Sequence, residues 1–166
     1  ISHLFLSVSE LKAQIESIIE PYAVLSDNNS KLTFYYDNNL VNRGGILREN
    51  ITDVQQITTV AFDESFANYY PESTQSWFYG YTSLSSFEHM EFLKTDSVVD
   101  MHNMFAECSG LTSLDISQFN TAKVADMSQM FWYCSELTMI VVGHKWTTAI
   151  VKDGQNMFMG CTKLEI

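Results

Sequence analysis

Asp126-Met-Ser-Gln-Met-Phe-Trp-Tyr-Cys-Ser-Glu-Leu137 occurs, with variations, four times in this chain. The other copies of its second half are Trp77-Phe-Tyr-Gly-Tyr-Thr-Ser-Leu84, Met104-Phe-Ala-Glu-Cys-Ser-Gly-Leu111 and Met157-Phe-Met-Gly-Cys-Thr-Lys-Leu164. The anchoring Phe78, Phe105, Phe131 and Phe158 lie 27, 26 and 27 residues apart. Self-similarity at one fixed period is the mark of an array whose units share one core.

The rest of the unit repeats too. Behind the shared Leu come Phe87, Leu114 and Ile140, then Leu93, Phe119 and Trp146. Thr95, Thr121 and Thr148 follow, then Val98, Val124 and Val151, and Asp100, Asp126 and Asp153 lead into the next copy. The third copy carries an extra residue between Val142 and Trp146. A weaker copy stands upstream, where Ile57, Val60 and Phe66 align with Leu84, Phe87 and Leu93, and Ser73 replaces the Asp.

Two kinds of periodicity are visible within a unit. Leu111-Thr-Ser-Leu-Asp-Ile116 alternates apolar and polar side chains, the signature of a half-buried strand. Asp126 reads as a helix N-cap, Gln129 completes a capping box, and Met127, Met130 and Phe131 then share one helical face. The expected fold is therefore an α/β leucine-rich-repeat solenoid, with one short strand and one short helix per 26–27-residue repeat and an N-terminal β-hairpin cap. About seven helical residues do not hold a helix alone in water, so stacked units must hold each other.

Residues 1–56 lack the repeat. Ser7-Val-Ser-Glu10 is a capping-box pattern, with Leu6 and Leu11 as a hydrophobic staple. Leu11, Ile15, Ile18 and Ile19 continue at helical spacing until Pro21. Tyr22–Leu25 and Leu32–Tyr36 read as two strands joined by the turn residues Ser-Asp-Asn-Asn-Ser, hence a hairpin. Three domains are expected: a lead-in helix over 1–21 (linker or cap), a β capping segment over 22–56 and about four repeats over 57–166.

These residues carry a resemblance. Asp126-Met-x-x-Met-Phe-x-x-Cys-Ser-x-Leu137 and Leu111-Thr-Ser-Leu-Asp-Ile-Ser-x-Phe-Asn-Thr121 resemble the BspA-like leucine-rich repeats of bacterial surface proteins. So do Tyr22-Ala-Val-Leu-Ser-Asp-Asn-Asn, Leu32-Thr-Phe-Tyr-Tyr-Asp37, Ile57-Thr-Thr-Val and Phe62-Asp-Glu-Ser-Phe-Ala-Asn68. The likeness spans about residues 22–164; it departs at Tyr81, which replaces the repeat Cys, and over Ile1–Glu20. It implies a secreted or surface-anchored protein of a host-associated bacterium, active in adhesion or protein binding, and it brings no catalytic residues.

Composition points the same way. Twenty acidic against nine basic residues give a net charge of −11, which disfavours nucleic-acid backbones. Hydrophobic content of 46% rules out disorder, and no apolar run approaches a membrane span. The chain begins at Ile1, without Met or a signal sequence, and is expected to be an excised piece.

Chemistry-bearing residues have plainer readings. Cys108, Cys134 and Cys161 lack the paired spacing of zinc ligands and read as a buried ladder of free thiols, with Tyr81 filling the same place. If the units carry helices packed about 8–10 Å apart, those thiols lie beyond disulfide reach. His3, His89, His102 and His144 share no register; His102 is expected in a helix and His144 in an irregular turn. Asp100, Asp126 and Asp153 read as helix caps in preference to a calcium site. No catalytic, metal or cofactor site is expected, and the chain is not read as an enzyme.

The surface remains. Thr59/Ser86/Ser113/Met139 and Ala61/Glu88/Asp115/Val141 are expected to project from successive strands. From these, Ser86, Glu88, Ser113, Asp115, Met139 and Val141 form the candidate protein-binding surface. The expected partner is a protein, a host matrix component or another surface protein. The alternative is a structural stalk that displays another domain. Leu137–Val142 is expected to be the last complete strand, with Ile166 the start of another, and its apolar Met139 and Val141 suit either a covering segment or weak self-association.

Overall fold

The computed structural model describes residues 6–16 and 19–165; Ile18, His3, Ile166 and the side chain of Ile15 lie outside that description. α1 (Val8–Glu16) opens the described chain. Its capping box forms: Ser7 N–H donates to Glu10 Oε2 at 2.8 Å and Glu10 N–H returns to Ser7 Oγ at 3.2 Å. Leu6 and Leu11 are both exposed.

β1 (Tyr22–Ser26) and β2 (Lys31–Tyr35) form an antiparallel hairpin. Asp27, Asn28 and Asn29 turn it, all with positive φ, a conformation that Asp and Asn adopt more readily than other non-glycine residues. β3 (Ile46–Leu47) pairs with the outer edge of β1. On the other side β2 runs parallel to β4 (Thr59–Phe62), which runs parallel to β5 (Ser86–Glu88). β6 (Ser113–Ile116) and β7 (Met139–Val142) form a separate parallel pair.

The expected α/β solenoid is thus corrected. Among the described residues α1 is the one α-helix, it lies outside the repeats, and the strands fall into two sheets instead of one continuous ladder. Where helices were expected, the chain forms a ribbon of overlapping turns. Every second amide closes a local turn, as in Met104 N–H to Met101 O, Ala106 N–H to Asn103 O and Cys108 N–H to Phe105 O. The amides between them donate to the next copy: Met101 to Asp126 O, Asn103 to Ser128 O, Phe105 to Met130 O and Glu107 to Trp132 O. The same pattern joins 74–80 to 100–106 and 127–133 to 153–159.

Spacing explains why. The rings of Phe78, Phe105, Phe131 and Phe158 stack with centroids 5.5, 5.6 and 5.5 Å apart. That is close to the strand-to-strand distance, and helices need about 8–10 Å. At this spacing neighbouring backbones can bond to each other, and the turn ribbon does so. It requires a positive φ two residues before and two after each anchoring Phe: Ser76 and Gly80, Asn103 and Glu107, Gln129 and Tyr133, Asn156 and Gly160. Four of those eight are Asn or Gly, the residues that tolerate it best.

The aspartates cap turns instead of helices. Asp100, Asp126 and Asp153 each accept the N–H two residues on, at 2.8, 2.8 and 2.9 Å, and Ser73 does the same through its hydroxyl. Their backbones form isolated parallel bridges in the order Ser73, Asp100, Asp126, Asp153. Gln129 completes no capping box; its φ is 56° and its N–H goes to Gln155 O. His102 sits in the turn ribbon, not in a helix. The extra residue of the third copy falls at Gly143, where a Cβ would lie 1.9 Å from Ser117 O.

One continuous core runs from the hairpin through these copies. It includes Leu32, Phe34, Phe62, Phe66, Phe78, Leu84, Phe105, Leu111, Phe131 and Leu137. Two buried threonines bind across copies: Thr121 Oγ1 donates to Thr147 O and accepts Thr147 N–H, both at 2.7 Å, and Thr95 does likewise with Asn120.

Candidate functional site

The outward face of the strands collects the expected surface residues. Ser86, Glu88, Ser113, Asp115, Met139 and Val141 are all exposed. Ser113 and Asp115 stand opposite Met139 and Val141 in register. Thr59 stands opposite Ser86, their hydroxyls 3.0 Å apart. Ala61 differs from expectation: it is only 4% exposed. Its methyl lies on β4 between larger neighbours, where Lys31 and Glu88 form a 2.7 Å ion pair from the strands on either side. That bond raises the Lys31 pKa.

Ser86 and Ser113 are not paired, because the sheet opens between β5 and β6. A cavity of about 380 Å³ occupies the opening, lined by Ser86, His89, Glu91, Ser113, Asp115 and Gln118 among others. Asp115 is held below the usual carboxylate range by hydrogen bonds from the Ser117 side chain and backbone N–H. His89 Nδ1 lies 3.3 Å from Glu91 Oε1, and its ring stacks on Phe92. Gln118 also lines this cavity, and its Nε2 is buried without a hydrogen-bond partner. A second cavity of about 310 Å³ continues past Gln118 to Lys94, Asp96, His144 and Lys145. From sequence His89 reads only as a histidine without a common register, and Glu91 and Gln118 escaped the sequence reading, which followed each column only to the end of its strand. Extending the columns two or three residues further would have reached them.

Chemically this face offers hydroxyls, carboxylates and one ion-paired lysine, a set suited to polar recognition. Among the described residues an imidazole meets a serine hydroxyl elsewhere, at His102 Nδ1 and Ser128 Oγ, 2.7 Å apart. Ser128 is buried, and its hydroxyl donates to Asp126 Oδ1, so its proton braces the turn cap and is not shared with the imidazole.

The three thiols are free; Cys108 and Cys134 are buried and Cys161 is half-buried. Each Sγ donates to the carbonyl of the Phe in the preceding copy: Cys108 to Phe78 at 3.1 Å, Cys134 to Phe105 at 3.1 Å and Cys161 to Phe131 at 3.0 Å. Helix spacing therefore does not separate them, since no helices are present there. The thiols are instead engaged by backbone carbonyls. Burial pushes the Cys108 thiol up to about 12. Cys134 is pushed up as well, by the neighbouring Cys161 thiol and then by burial. Among the described residues no helix is long and apolar enough to cross a membrane, and no cluster of three or more His, Cys, Asp or Glu could hold a metal ion.

None of the curated proteins is significantly similar in sequence. The structural neighbours are leucine-rich-repeat proteins. One is a leucine-rich repeat protein from Bacteroides ovatus, 21% identical, with a TM-score of 0.47; the match covers 67% of this chain and 24% of that one. This chain thus spans about a quarter of the length of that relative. Another is the leucine-rich repeat protein of T. pallidum, 12% identical, with a TM-score of 0.38 and coverage of 89% and 88%. Residues 72–166, more than half of the chain and the whole run of turn ribbons, match the family described as "Mycoplasma protein of unknown function, DUF285", and the chain belongs to that family.

Proposed function

We propose that this chain is a non-catalytic protein-interaction module of a bacterial surface or secreted protein, of the BspA-like kind, and that it binds its partner through the outward strand face. The supporting observation is the geometry of that face. Ser86, Glu88, Ser113 and Asp115 project from short strands fixed by a continuous core, around an opening that His89, Glu91 and Gln118 also line. Rigid, regularly spaced and chemically varied side chains are what recognition by shape and polarity requires. Adhesion to a host matrix protein is the expected biological use. On this reading residues 22–56 act as the capping segment of the repeat region that begins at 57. Weak self-association through Met139 and Val141 on β7 is a second contact of the same module.

The test is binding of the purified chain to immobilised host matrix proteins, with a Glu88→Lys/Asp115→Lys double variant beside it. Wild type should bind at least one of them, and the variant should lose about tenfold or more, because like-charge or mismatched contacts are costly at such faces. Unchanged binding by the variant would remove the strand face from the reading. Light scattering over a concentration series, wild type against Met139→Lys, reads the self-association; a strict monomer in both would delete it.

A further inference from the structure

Away from the strands, where the turn ribbon of the third copy ends, two aromatic side chains stand out of the surface together. Trp132 is half-buried and Tyr133 is 47% exposed. Their ring centroids are 4.6 Å apart with the planes at 78°, so they form a corner. Backbone closes one side of Tyr133: Gly160 of the next copy lies against its ring, and a Cβ there would come 2.9 Å from a ring carbon. The corner opens onto a pocket of about 350 Å³ lined by Thr82, Glu107, Ser109, Trp132, Tyr133 and Ser135. No lining residue belongs to a strand.

The polar groups are arranged in a particular way. Glu107 Oε1 accepts the Tyr79 hydroxyl at 2.9 Å, which holds the carboxylate at the pocket edge. The hydroxyls of Thr82, Ser109 and Ser135 make no hydrogen bond to any described residue. The pocket therefore joins an aromatic corner to one positioned carboxylate and three unengaged hydroxyls. A pyranose ring is complementary to such a set. Its axial C–H face is apolar and packs on an aromatic plane, while its rim of hydroxyls both donates and accepts. A carboxylate next to aromatic rings also attracts ammonium and guanidinium groups. Two features favour the neutral polyol: only one carboxylate lines the pocket and it already accepts a hydrogen bond from the Tyr79 hydroxyl, and most of the polar rim is hydroxyl, which a cation does not need.

We propose that Trp132, Tyr133, Glu107, Thr82, Ser109 and Ser135 form a carbohydrate-binding site for a single pyranose unit. Trp132 supplies the stacking plane, Glu107 accepts from two vicinal sugar hydroxyls, and the three protein hydroxyls complete the rim. The site is shallow and half-open, so affinity for a monosaccharide lies in the millimolar range. Its use is to hold one residue of a longer glycan.

The experiment is an amide and indole NMR titration of the purified chain with the methyl glycosides of glucose, galactose, mannose and N-acetylglucosamine. Arginine methyl ester serves as the cationic probe. At least one glycoside should give saturable shifts at the Trp132 indole and at Glu107, Ser109 and Ser135, unchanged between low and high salt, because no charge pairing is involved. Trp132→Ala should weaken that binding about tenfold. Because Trp132 is half-buried, the Ser109→Ala/Ser135→Ala variant keeps the test independent of folding, and it too should weaken binding several-fold. Shifts with arginine methyl ester alone, fading with salt, would overturn the proposal in favour of a cation pocket. Absence of shifts with all probes would overturn it outright.

Discussion

Phe34 and Phe158 stand at opposite ends of one run of aromatic rings, and their surroundings differ. Phe34 is 1% exposed; it stacks on Phe62 and Trp77 and meets Phe66 and Phe78 edge-on. Phe158 stacks on Phe131 on one side, and 39% of it remains exposed. At the first end a segment without the repeat does the covering: β2 extends the sheet, and Arg48 lies over the Trp77 ring at 5.7 Å. At the other end Met139, Val142, Ile150 and Met159 stay about half exposed. Both residues are Phe, so their burial is decided by neighbours and not by residue type. Substituting the same residue in different copies isolates that effect.

The largest effect should come from the phenylalanine column. Phe131→Ala removes a 1% exposed ring stacked on both sides, at about 3–5 kcal/mol. Phe158→Ala, the same change one copy later, should cost about 1 kcal/mol, because much of that ring is already in water. Thermal or urea melts of the two variants measure the gap. Coincident curves would mean that the ring column contributes little to holding the copies together.

A smaller effect is expected in the threonine column. Thr121→Val keeps the shape but leaves the N–H and carbonyl of Thr147 without a partner inside the fold, at about 1–3 kcal/mol. Thr148→Val, at the equivalent place one copy on and exposed, should stay within about 0.5 kcal/mol. Equal losses would indicate that solvent reaches the Thr147 backbone and repairs the bond.

The same contrast marks what could be read from the sequence. The columns at Phe78, Leu84, Phe87, Thr95, Val98 and Asp100 were visible because each serves one recurring neighbour, and the strand register follows from them. The hairpin was visible because Asp27, Asn28 and Asn29 are turn residues between two apolar runs. The turn ribbon was misread as a helix. Met127, Met130 and Phe131 point inward at intervals of three and four in both conformations, so side-chain period alone does not separate them. The distinguishing signal was the Asn or Gly two residues before or after the anchoring Phe, at Asn103, Asn156, Gly80 and Gly160. It was diluted by Ser76, Glu107, Gln129 and Tyr133, which adopt the same positive φ. The opening between β5 and β6 left no mark in the repeat columns, since Ser86 and Ser113 look like any other pair. It shows in the strand pairing and in the groups past the strand ends.

The gentlest probe of the same contrast is the thiol column, because it changes nothing in the fold. Cys108 and Cys134 are buried, and their thiols are pushed up by burial and, for Cys134, first by the neighbouring Cys161 thiol. At neutral pH they carry almost no thiolate, the form that attacks a disulfide reagent. Cys161 is only half-buried. An aromatic disulfide reagent should therefore label Cys161 first. Cys108 and Cys134 should follow only as the molecule opens. Their rates should then rise with the destabilisation caused by Phe131→Ala, while the Cys161 rate, set by local exposure, should move much less. Mass mapping of the labelled cysteines over time separates the three. Labelling of all three at one rate in the native protein would mean that the copies open independently of their depth in the core, and the contrast between the two ends would lose its energetic meaning.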